Sequence, residues 1–381
     1  MKGLERKTVM VFGIGKLGGP VADILAALHE SHRFVLVSRS RERSEKRANL
    51  CRYLAAQWAR YPEIVGEEAD LRNTDSTSQL IARYRPFLVF NATTPFPWWK
   101  IESLPEVARR QANQAGPGMW CALDCLLPML LTKSLAQSGV DAIHVNACYP
   151  DMTNAFLAGQ VCAPQLGIGN ISNLVPGLQI AFADLLGVRV ADIGVQIVGH
   201  HYVSWNAPSA KGCSDAPYEL TVTHPTGSLR FSGPDDSPFR ELRARASRVR
   251  GLDGLGVTIG SASTLLDQLL GGRKRRHHSP GACGLPGGYP VVLGDGGIPQ
   301  LDLPSHLNPE LAARVNCKAQ RFDGIEHVAG GEVVATELAR QAHRDIVGFE
   351  LPPVRTHDVE GIAAESIARL DSRYGLGLGG A

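Results

Sequence analysis

Three glycines near the start of the chain have the spacing of a phosphate-binding turn. Gly13, Gly15 and Gly18 read as G-x-G-x-x-G, after the apolar residues 9–12 and before apolar residues at helical spacing. Gly13 permits a tight turn, Gly15 lets the backbone approach a phosphate, and Gly18 lets the helix pack closely on the strand. The helix would point free N–H groups and its positive dipole end at the anion. We therefore expect this turn to bind a dinucleotide and not to be purely structural. The residues expected to contact the cofactor are Gly13, Gly15, Lys16, Leu17 and Gly18.

The end of the second predicted strand indicates which dinucleotide binds. An NAD-selective site carries an acid about 20 residues beyond the glycines, where it holds the ribose 2′-hydroxyl. That position is Ser38, followed by Arg39, Ser40 and Arg41. Hydroxyls and guanidinium groups suit a 2′-phosphate, because arginine binds phosphate with two parallel hydrogen bonds. The sequence therefore favours NADP over NAD, held by Ser38, Arg39 and Ser40. The alternative interpretation is that these residues are only the exposed, charged start of a helix.

Polar residues also follow the third and fourth predicted strands. Ligands of open α/β sheets lie beyond the carboxyl ends of the strands. Asp70 follows the third strand, where we expect the adenine edge, and Asn91 and Thr93 follow the fourth. The last two are expected to border the nicotinamide ribose or the substrate.

Two adjacent histidines are candidates for proton transfer. His200 and His201 follow the strand-like residues 195–198. Histidine gives up a proton near neutral pH more readily than other side chains. A ketone or imine that accepts a hydride needs such a proton, or a cation that steadies the developing charge. We expect at least one of the two to be catalytic or to orient the substrate. The alternative is one buried, hydrogen-bonded histidine beside one exposed one.

The histidine pair also resembles a known motif. His200 and His201, four further residues and then Asn-Ala-Pro-Ser at 206–209 resemble the His-His-x4-Asp-Ala-Pro-Ser signature of dihydrodipicolinate reductases. These are NAD(P)H-dependent enzymes that reduce a cyclic imine-type substrate. The resemblance implies that His200 donates the proton and His201 supports it. Ser204 replaces that family's essential lysine and Asn206 its aspartate, which argues for a different substrate. The domain layout more broadly resembles saccharopine-dehydrogenase-like reductases.

Cys148 suggests a different reaction. The segment Asn-Ala-Cys-Tyr-Pro at 146–150 resembles the Asn-Pro-Gly-Cys-Tyr-Pro segment of N-acetyl-glutamyl-phosphate reductases. That resemblance implies a thiolate nucleophile that carries an acyl group as a thioester, in a semialdehyde or acyl-phosphate reductase. Such a thiolate needs a lowered pKa, which His200 or His201 would supply. The alternative for Cys148 is that it is simply a small apolar residue at a strand end. The alternative for the whole protein is a sensor or scaffold that binds NADP without turnover.

The order of elements in the first part predicts an α/β fold. Strand-like apolar runs at 34–37, 64–65, 87–90 and 142–147 alternate with helical segments. This alternation predicts a doubly wound parallel sheet, the Rossmann arrangement, over residues 1–150.

The second part has a different pattern. Strand-like segments at 193–198, 218–222 and 228–231 follow one another with few helices between them. We expect a second, α+β domain over residues 151–381, built on an open and mainly antiparallel sheet. The glycine-rich residues 375–381 are expected to add nothing to the packing.

Composition and charge exclude several classes of function. The 381 residues are 44% hydrophobic and 20% charged, an ordinary globular balance. Lys+Arg 39 against Asp+Glu 37 gives a net charge of +2, so no overall field attracts nucleic acid. We recognise no signal peptide or membrane span, and eight cysteines without a C-x-x-C pair suggest reduced thiols and no metal site. We expect a cytoplasmic protein with a small-molecule substrate, no nucleic-acid or membrane partner, and a homodimer formed through the second domain's sheet.

Overall fold

The structure, a computed structural model, describes residues 6–213, 215–249 and 251–378. Its first part alternates strands and helices. These elements are β1 (Thr8–Phe12), α1 (Gly18–Leu28), β2 (Arg33–Ser38), α2 (Arg41–Gln57), β3 (Glu63–Glu68), α3 (Thr74–Tyr84), β4 (Leu88–Asn91), α4 (Glu106–Ala115), α5 (Cys121–Ser138), β5 (Ile143–Asn146), α6 (Pro150–Leu157) and β6 (Leu166–Gly167).

The second part contains shorter strands. Its elements are α7 (Val175–Leu186), β7 (Gly194–Val198), α8 (His201–Asn206), β8 (Glu219–His224), β9 (Gly227–Ser232), α9 (Ser237–Arg245), α10 (Gly256–Leu269), β10 (His277–Pro280), β11 (Gly288–Leu293), β12 (Pro299–Leu301), α11 (Pro309–Ala319), β13 (Ile325–Ala329), β14 (Glu332–Ala335), α12 (Glu337–Val347), β15 (Val354–Arg355) and α13 (Val359–Tyr374).

The strands of the first part form one parallel sheet. Their order is β3-β2-β1-β4-β5-β6. β1 pairs with β2 on one side and β4 on the other, so the winding reverses between β1 and β4. This confirms the predicted doubly wound α/β arrangement. Ligands of such sheets bind outside the carboxyl ends of the strands at that reversal.

The side chains of β1 alternate between two hydrophobic cores. Met10 and Phe12 belong to a core shared with α3, α5, α12 and α13. Val9 and Val11 belong to the opposite core, shared with α1, α2 and α10. Because successive side chains of a strand point to opposite faces, the fully apolar β1 requires helices on both sides.

The second part is built from antiparallel strands, as expected. The predicted strands near 193–198, 218–222 and 228–231 are β7, β8 and β9, which form one three-stranded sheet. β10-β11-β12 and β13-β14-β15 form two more, so the described residues hold three small sheets instead of one open sheet.

The end of the chain returns to the first core. Ile346 of α12 and Leu370 of α13 are buried in the core that contains Met10. Leu376 and Leu378 are also buried there, so the expectation that the glycine-rich end adds nothing to the packing is wrong. The last residues, 379–381, lie outside the described part. The two leucines alternate with glycines. The glycine-rich composition of this segment therefore hid the contribution of the leucines to the core.

The division into two domains at residue 150 stays a prediction. β6 continues the parallel sheet to Gly167, beyond that boundary. Helix α10 packs against α1, helix α12 against α4, and helix α13 against α5. The two hydrophobic cores on the faces of the parallel sheet therefore contain elements from both sides of the predicted boundary at residue 150.

One apolar helix has the length of a membrane span. The segment Pro117–Ser138 qualifies by length and composition, and 78% of its most apolar window is buried inside the protein. Buried core helices satisfy the same criteria, and this one packs against α3 and α13.

Candidate active site

The glycine turn after β1 has the geometry that its sequence predicts. Gly13 has a φ of +87°, and a Cβ there would lie 2.6 Å from the carbonyl carbon of Ala92, in the loop after β4. A Cβ on Gly18 would lie 2.0 Å from the carbonyl oxygen of Gly13. Both positions therefore accept only glycine, the first for its backbone conformation and both for close approach.

The same turn fits a diphosphate. A Cβ on Gly15 would meet no atom within 4 Å, so this part of the turn faces open space. Lys16 is exposed beside it, and the first turn of α1 carries no acidic side chain. Free N–H groups at a helix start, together with a nearby cation, form a site for a negatively charged group.

The hydroxyl groups at the end of β2 hold the start of α2. Ser38 donates its hydroxyl to the carbonyl of Ser40 at 3.1 Å and shares a hydrogen bond of 2.8 Å with Ser44. The Ser40 hydroxyl caps α2 by accepting the N–H of Arg43 at 3.2 Å. Ser38 and Ser40 are therefore already engaged in the protein, although hydroxyls can bond more than one partner.

Two guanidinium groups remain open at this strand end. Within the described part of the chain, the exposed side chains of Arg39 and Arg43 form no hydrogen bond or ion pair. Arg41, in contrast, is paired with Glu45 and Glu67. A depression of about 450 Å³ lies here, lined by Ile14, Ser40, Glu42, Arg43, Lys46, Arg47 and Leu50. It joins the glycine turn to the start of α2, where the ribose of a bound dinucleotide is expected.

Asp70 lies at the same edge of the sheet but serves the local turn. The N–H of Ala69 donates to the carbonyl of Ser38 at 2.9 Å, which places Asp70 beside the end of β2. Its carboxylate accepts the N–H of Arg72 at 3.0 Å. The role of Asp70 at the adenine edge stays a prediction.

Asn91 is buried and joins the ends of β4 and β5. Its side-chain N–H group donates to Asn146 at 3.0 Å, and its oxygen accepts the N–H of Thr93 at 3.1 Å and the Thr93 hydroxyl at 2.6 Å. Asn146 in turn accepts the N–H of Cys148 at 3.0 Å. Asn91 thus fixes the loop that follows β4, whereas Thr93 is half-buried and lies nearer the surface. Direct contact of either with a cofactor stays a prediction.

The two histidines share one carboxylate. Asp323 lies just before β13, and its oxygens accept hydrogen bonds from Nδ1 of His200 at 2.5 Å and Nδ1 of His201 at 2.9 Å. The backbone N–H of Tyr202 also donates to it at 2.7 Å. Because a carboxylate only accepts, Nδ1 carries the proton in both rings and Nε2 is left for other partners.

The two rings differ in access to solvent. His200 is fully buried, and its Nε2 has no hydrogen-bond partner among the described residues. His201 keeps 21% of its side chain exposed. The sequence resemblance made His200 the proton donor and His201 its support. Of the two side chains, only that of His201 is partly exposed to solvent.

The charges of this cluster stabilise one another. Burial alone would lower the pKa of His201, but the Asp323 carboxylate and its hydrogen bond, with Asp151 and Asp124 farther off, raise that pKa above its usual value. Burial alone would raise the pKa of Asp323, yet the charge of His201 and the hydrogen bonds from both histidines hold it well below its usual range. His201 therefore stays protonated to a higher pH than a free histidine.

Tyr149 and Asp151 complete the buried side of the cluster. The ring of Tyr149 meets both histidine rings edge-on. The distance between ring centroids is 6.4 Å for His200 and 5.3 Å for His201. Asp151 accepts a hydrogen bond from Asn170. The Tyr149 hydroxyl and one Asp151 oxygen are buried without a partner among the described residues. Unpaired buried polar atoms are rare, and they cluster where function requires them.

Cys148 lies in surroundings that keep it a thiol. Burial and the nearby Asp124 raise the pKa of Cys148 well above its usual value, and only the Thr94 hydroxyl acts in the other direction. Its Sγ donates to the carbonyl oxygen of Asp124 at 3.4 Å. Neither histidine contributes to lowering this pKa, so the site lacks the activation that a cysteine nucleophile requires.

Asp124 is a site residue that the sequence did not reveal. It lies on α5, whose neighbouring residues Leu123 and Cys125 are fully buried, but Asp124 itself keeps partial exposure. Burial raises the pKa of Asp124 to about 8, against the opposing charge of His201. It is thus a carboxyl group that remains largely protonated at neutral pH, near His201.

The loop after β4 connects the glycine turn with the histidines. Ala92 contacts Gly13 at one end of this loop. At the other end, the ring centroids of Trp98 and Trp205 lie 5.8 Å apart. The ring of Trp205 stacks on that of His201, with 6.1 Å between the centroids and an angle of 23° between the planes. The phosphate-binding turn and the histidine pair therefore border the same edge of the sheet.

Comparison with known proteins identifies the fold. No protein-family model matches the sequence, and no curated protein sequence matches it. Solved structures do match: malate dehydrogenase from Picrophilus torridus has a TM-score of 0.54 at 12% identity, covering 84% of this chain and 96% of that chain. Malate dehydrogenase from Cryptosporidium parvum has a TM-score of 0.53 at 12% identity, covering 84% of this chain and 98% of that chain. The chain shares the α/β fold of these solved structures.

A third match has its ligands bound. Lactate dehydrogenase from Cryptosporidium parvum, solved with lactic acid and nicotinamide adenine dinucleotide, has a TM-score of 0.51 at 15% identity, covering 84% of this chain and 99% of that chain. These matches are not the reductase families that the histidine motif and the domain layout resemble. That resemblance stays a prediction.

Proposed function

We propose that this protein is an NADP-dependent oxidoreductase that passes a hydride to the carbon of a C=N or C=O group in a small polar metabolite. One observation carries the proposal: the His201–Asp323 pair keeps a partly exposed ring beside the loop that leads from the glycine turn. A hydride acceptor needs both a dinucleotide and a proton donor within one site, and these two features meet along one loop.

The dinucleotide would be held by residues of the first sheet. Gly13, Gly15 and Gly18, with Lys16 and Leu17, suit the pyrophosphate, since the turn is tight, open and next to a helix start. The open side chains of Arg39 and Arg43 suit a 2′-phosphate, and no acid stands at the end of β2. These features support NADP, with NAD as the alternative. When bound, the reduced nicotinamide supplies the hydride.

His201 is the residue that would hold and release the proton. Its Nδ1–H group is fixed by Asp323, so the proton released to a substrate comes from Nε2. The raised pKa lets this ring hold its proton to a higher pH than a free histidine does, which suits a proton donor in the reductive direction. His200 is sealed in the interior and holds the other oxygen of Asp323, which makes it a positioning residue.

Aromatic rings and a carboxyl group lie beside His201. Trp205 covers one side of His201, and Tyr149 meets its edge. Asp124 adds a carboxyl group close enough to affect the charge of His201. A small metabolite with polar groups matches these aromatic walls and hydrogen-bonding groups.

The experiment combines a binding titration with turnover. Purified protein is titrated with NADPH and with NADH while its fluorescence is followed, and is then supplied with cyclic imines, keto acids, ketones and aldehydes. We expect tighter binding of NADPH and its oxidation by at least one member of the panel. The His201→Asn variant should bind NADPH normally but lose turnover about 10²-fold or more.

The control is His327→Asn, which alters an exposed histidine on β13. It should behave as the wild type in both assays. No binding of either nucleotide would refute the dinucleotide site. Binding without consumption of NADPH would favour a sensor or scaffold, and full turnover by His201→Asn would refute the proton donor.

A further inference from the structure

The helix α2 has its large apolar side chains on the solvent side. The residues that it buries against the sheet are small: Ser44, Ala48, Cys51 and Ala55. This close packing is required because a Cβ on Gly66 of β3 would lie 2.5 Å from the backbone of Ser44. The large residues therefore do not serve the core of this chain.

The outward side of α2 and the turn after it form an aromatic face. We use "α2 face" for Leu50, Tyr53, Leu54, Trp58 and Tyr61, whose exposed fractions range from 39% to 74%. Leu50, Tyr53 and Leu54 recur at helical spacing on one stripe, and Trp58 and Tyr61 continue it beyond the end of the helix. Beside α2, the neighbouring helix α1 exposes Ile24 and Leu28.

The area of the α2 face fits a stable association. Tyr53, Trp58 and Tyr61 are each at least 70% exposed, and aromatic residues offer roughly 150–250 Å² each, so these three alone present about 300–500 Å². A standard interface buries about 800 Å² on each partner. With Leu50, Leu54 and the exposed residues of α1, the face approaches that size. Tyrosine and tryptophan are also the residues enriched at interface centres.

Most of the charged groups around the α2 face are already engaged within the chain. Arg60 pairs with Glu30 at 3.6 Å, and Lys46 pairs with Glu42 at 2.5 Å. The Arg52 guanidinium bonds Asn49 and a backbone carbonyl of β3. A nucleic acid or an anionic membrane is bound by a cluster of unpaired cations. In the described part of α2, Arg43 and Arg52 lack an acidic partner, whereas Arg41, Lys46 and Arg47 have one. A rim of mostly paired charges can meet a copy of itself with little repulsion.

We propose that a second copy of this chain covers the α2 face, so that two α2 helices pack across a twofold axis around Tyr53, Trp58 and Tyr61. The dimer therefore forms through the first sheet's outer helices and not through the antiparallel sheet of the second part. The argument for this assembly uses no part of the proposed chemistry, although Leu50 also lines the depression beside Arg43.

Sedimentation equilibrium over a wide range of concentration tests the proposal. The wild type is compared with the double variant Tyr53→Glu/Trp58→Glu, which buries two charges in the interface. The matched control is Val107→Glu/Val161→Glu, which makes the same change at two valines that are 72% and 73% exposed elsewhere. We expect dimers for the wild type and the control, and monomers for the double variant with an unchanged circular dichroism spectrum.

Should the double variant fail to fold, Trp58→Ala provides a milder change. It should raise the dissociation constant of the dimer by at least about tenfold, as truncation of a central tryptophan does. A wild type that remains monomeric throughout the concentration range would overturn the proposal. So would a dimer that survives both the folded double variant and Trp58→Ala, since its interface would then lie elsewhere.

Discussion

Nδ1 of His201 lies 2.9 Å from an oxygen of Asp323, although 122 positions separate the two residues in the sequence. The contact joins the start of α8 to the loop before β13. It fixes the tautomer of the ring and raises the pKa of His201, so that Nε2 keeps its proton to a higher pH than in a free histidine. Removal of the carboxylate should therefore change the pH dependence of any reduction at this site.

The Asp323→Asn variant tests this relationship. In the wild type, the protonated form of His201 is lost only as pH rises through its raised pKa, so reduction should persist above the usual histidine range. Without the carboxylate, burial lowers the pKa of His201, and the decline in kcat/KM should move to lower pH. We also expect kcat to fall about 10²-fold or more, measured with NADPH and the best substrate of the panel. The exposed Asp75→Asn change on α3 should leave the profile unchanged, and an unmoved profile in Asp323→Asn would contradict the pairing.

Local sequence patterns were sufficient to predict the first sheet except for its edge strand β6, which lies beyond residue 150. β1, β2 and β4 are short apolar runs with buried side chains, and a fully buried parallel strand has to be apolar on both faces. The glycine turn was predictable as well, because its requirements lie within the local backbone. Gly13 and Gly18 carry the close contacts that the motif implies.

The site required contacts that a single sequence does not encode locally. Asp323 is one of many acids, and only the fold brings it to His200 and His201. Asp124 was missed because a long apolar helix predicts burial, which does not reveal that this side chain keeps partial exposure near His201. Cys148 was judged by its neighbours in sequence, whereas its pKa depends on burial and on Asp124.

The choice of cofactor is tested by substitution of Arg39. Because its guanidinium is free in the described part of the chain, Arg39→Ala should remove only contacts with the ligand. We expect NADPH to bind about 10- to 100-fold more weakly, the cost of one or two charge-assisted hydrogen bonds. NADH affinity should change little. Arg43→Ala should act in the same direction, and Arg72→Ala, an exposed arginine after β3, serves as the control. Equal losses for both nucleotides would refute the 2′-phosphate role.

Cys148 should prove dispensable for turnover. Because burial and Asp124 keep it a thiol, iodoacetamide should modify it slowly at neutral pH. Cys148→Ala should retain NADPH-dependent activity within about tenfold, an effect on packing only, whereas loss of a covalent nucleophile abolishes a reaction. Mass spectrometry of the alkylated protein should show the exposed Cys283 and Cys317 reacting first. Rapid inactivation that tracks modification of Cys148 would instead support the thioester route.

Asp124 makes the stability of the protein depend on pH in an unusual direction. Its pKa is about 8 in the folded protein and 3.8 for an unperturbed aspartate, so between these values the folded state binds a proton that the unfolded state lacks. Stability is therefore lost as pH rises through this window, by at most about 1.4 kcal/mol per pH unit. Asp124→Asn removes this dependence. Its melting temperature should match the wild type near pH 5 to within a few degrees and exceed it by several degrees near pH 8.5. Asp75→Asn should follow the wild type at both values, and identical slopes in all three proteins would show that Asp124 is ionised in the fold.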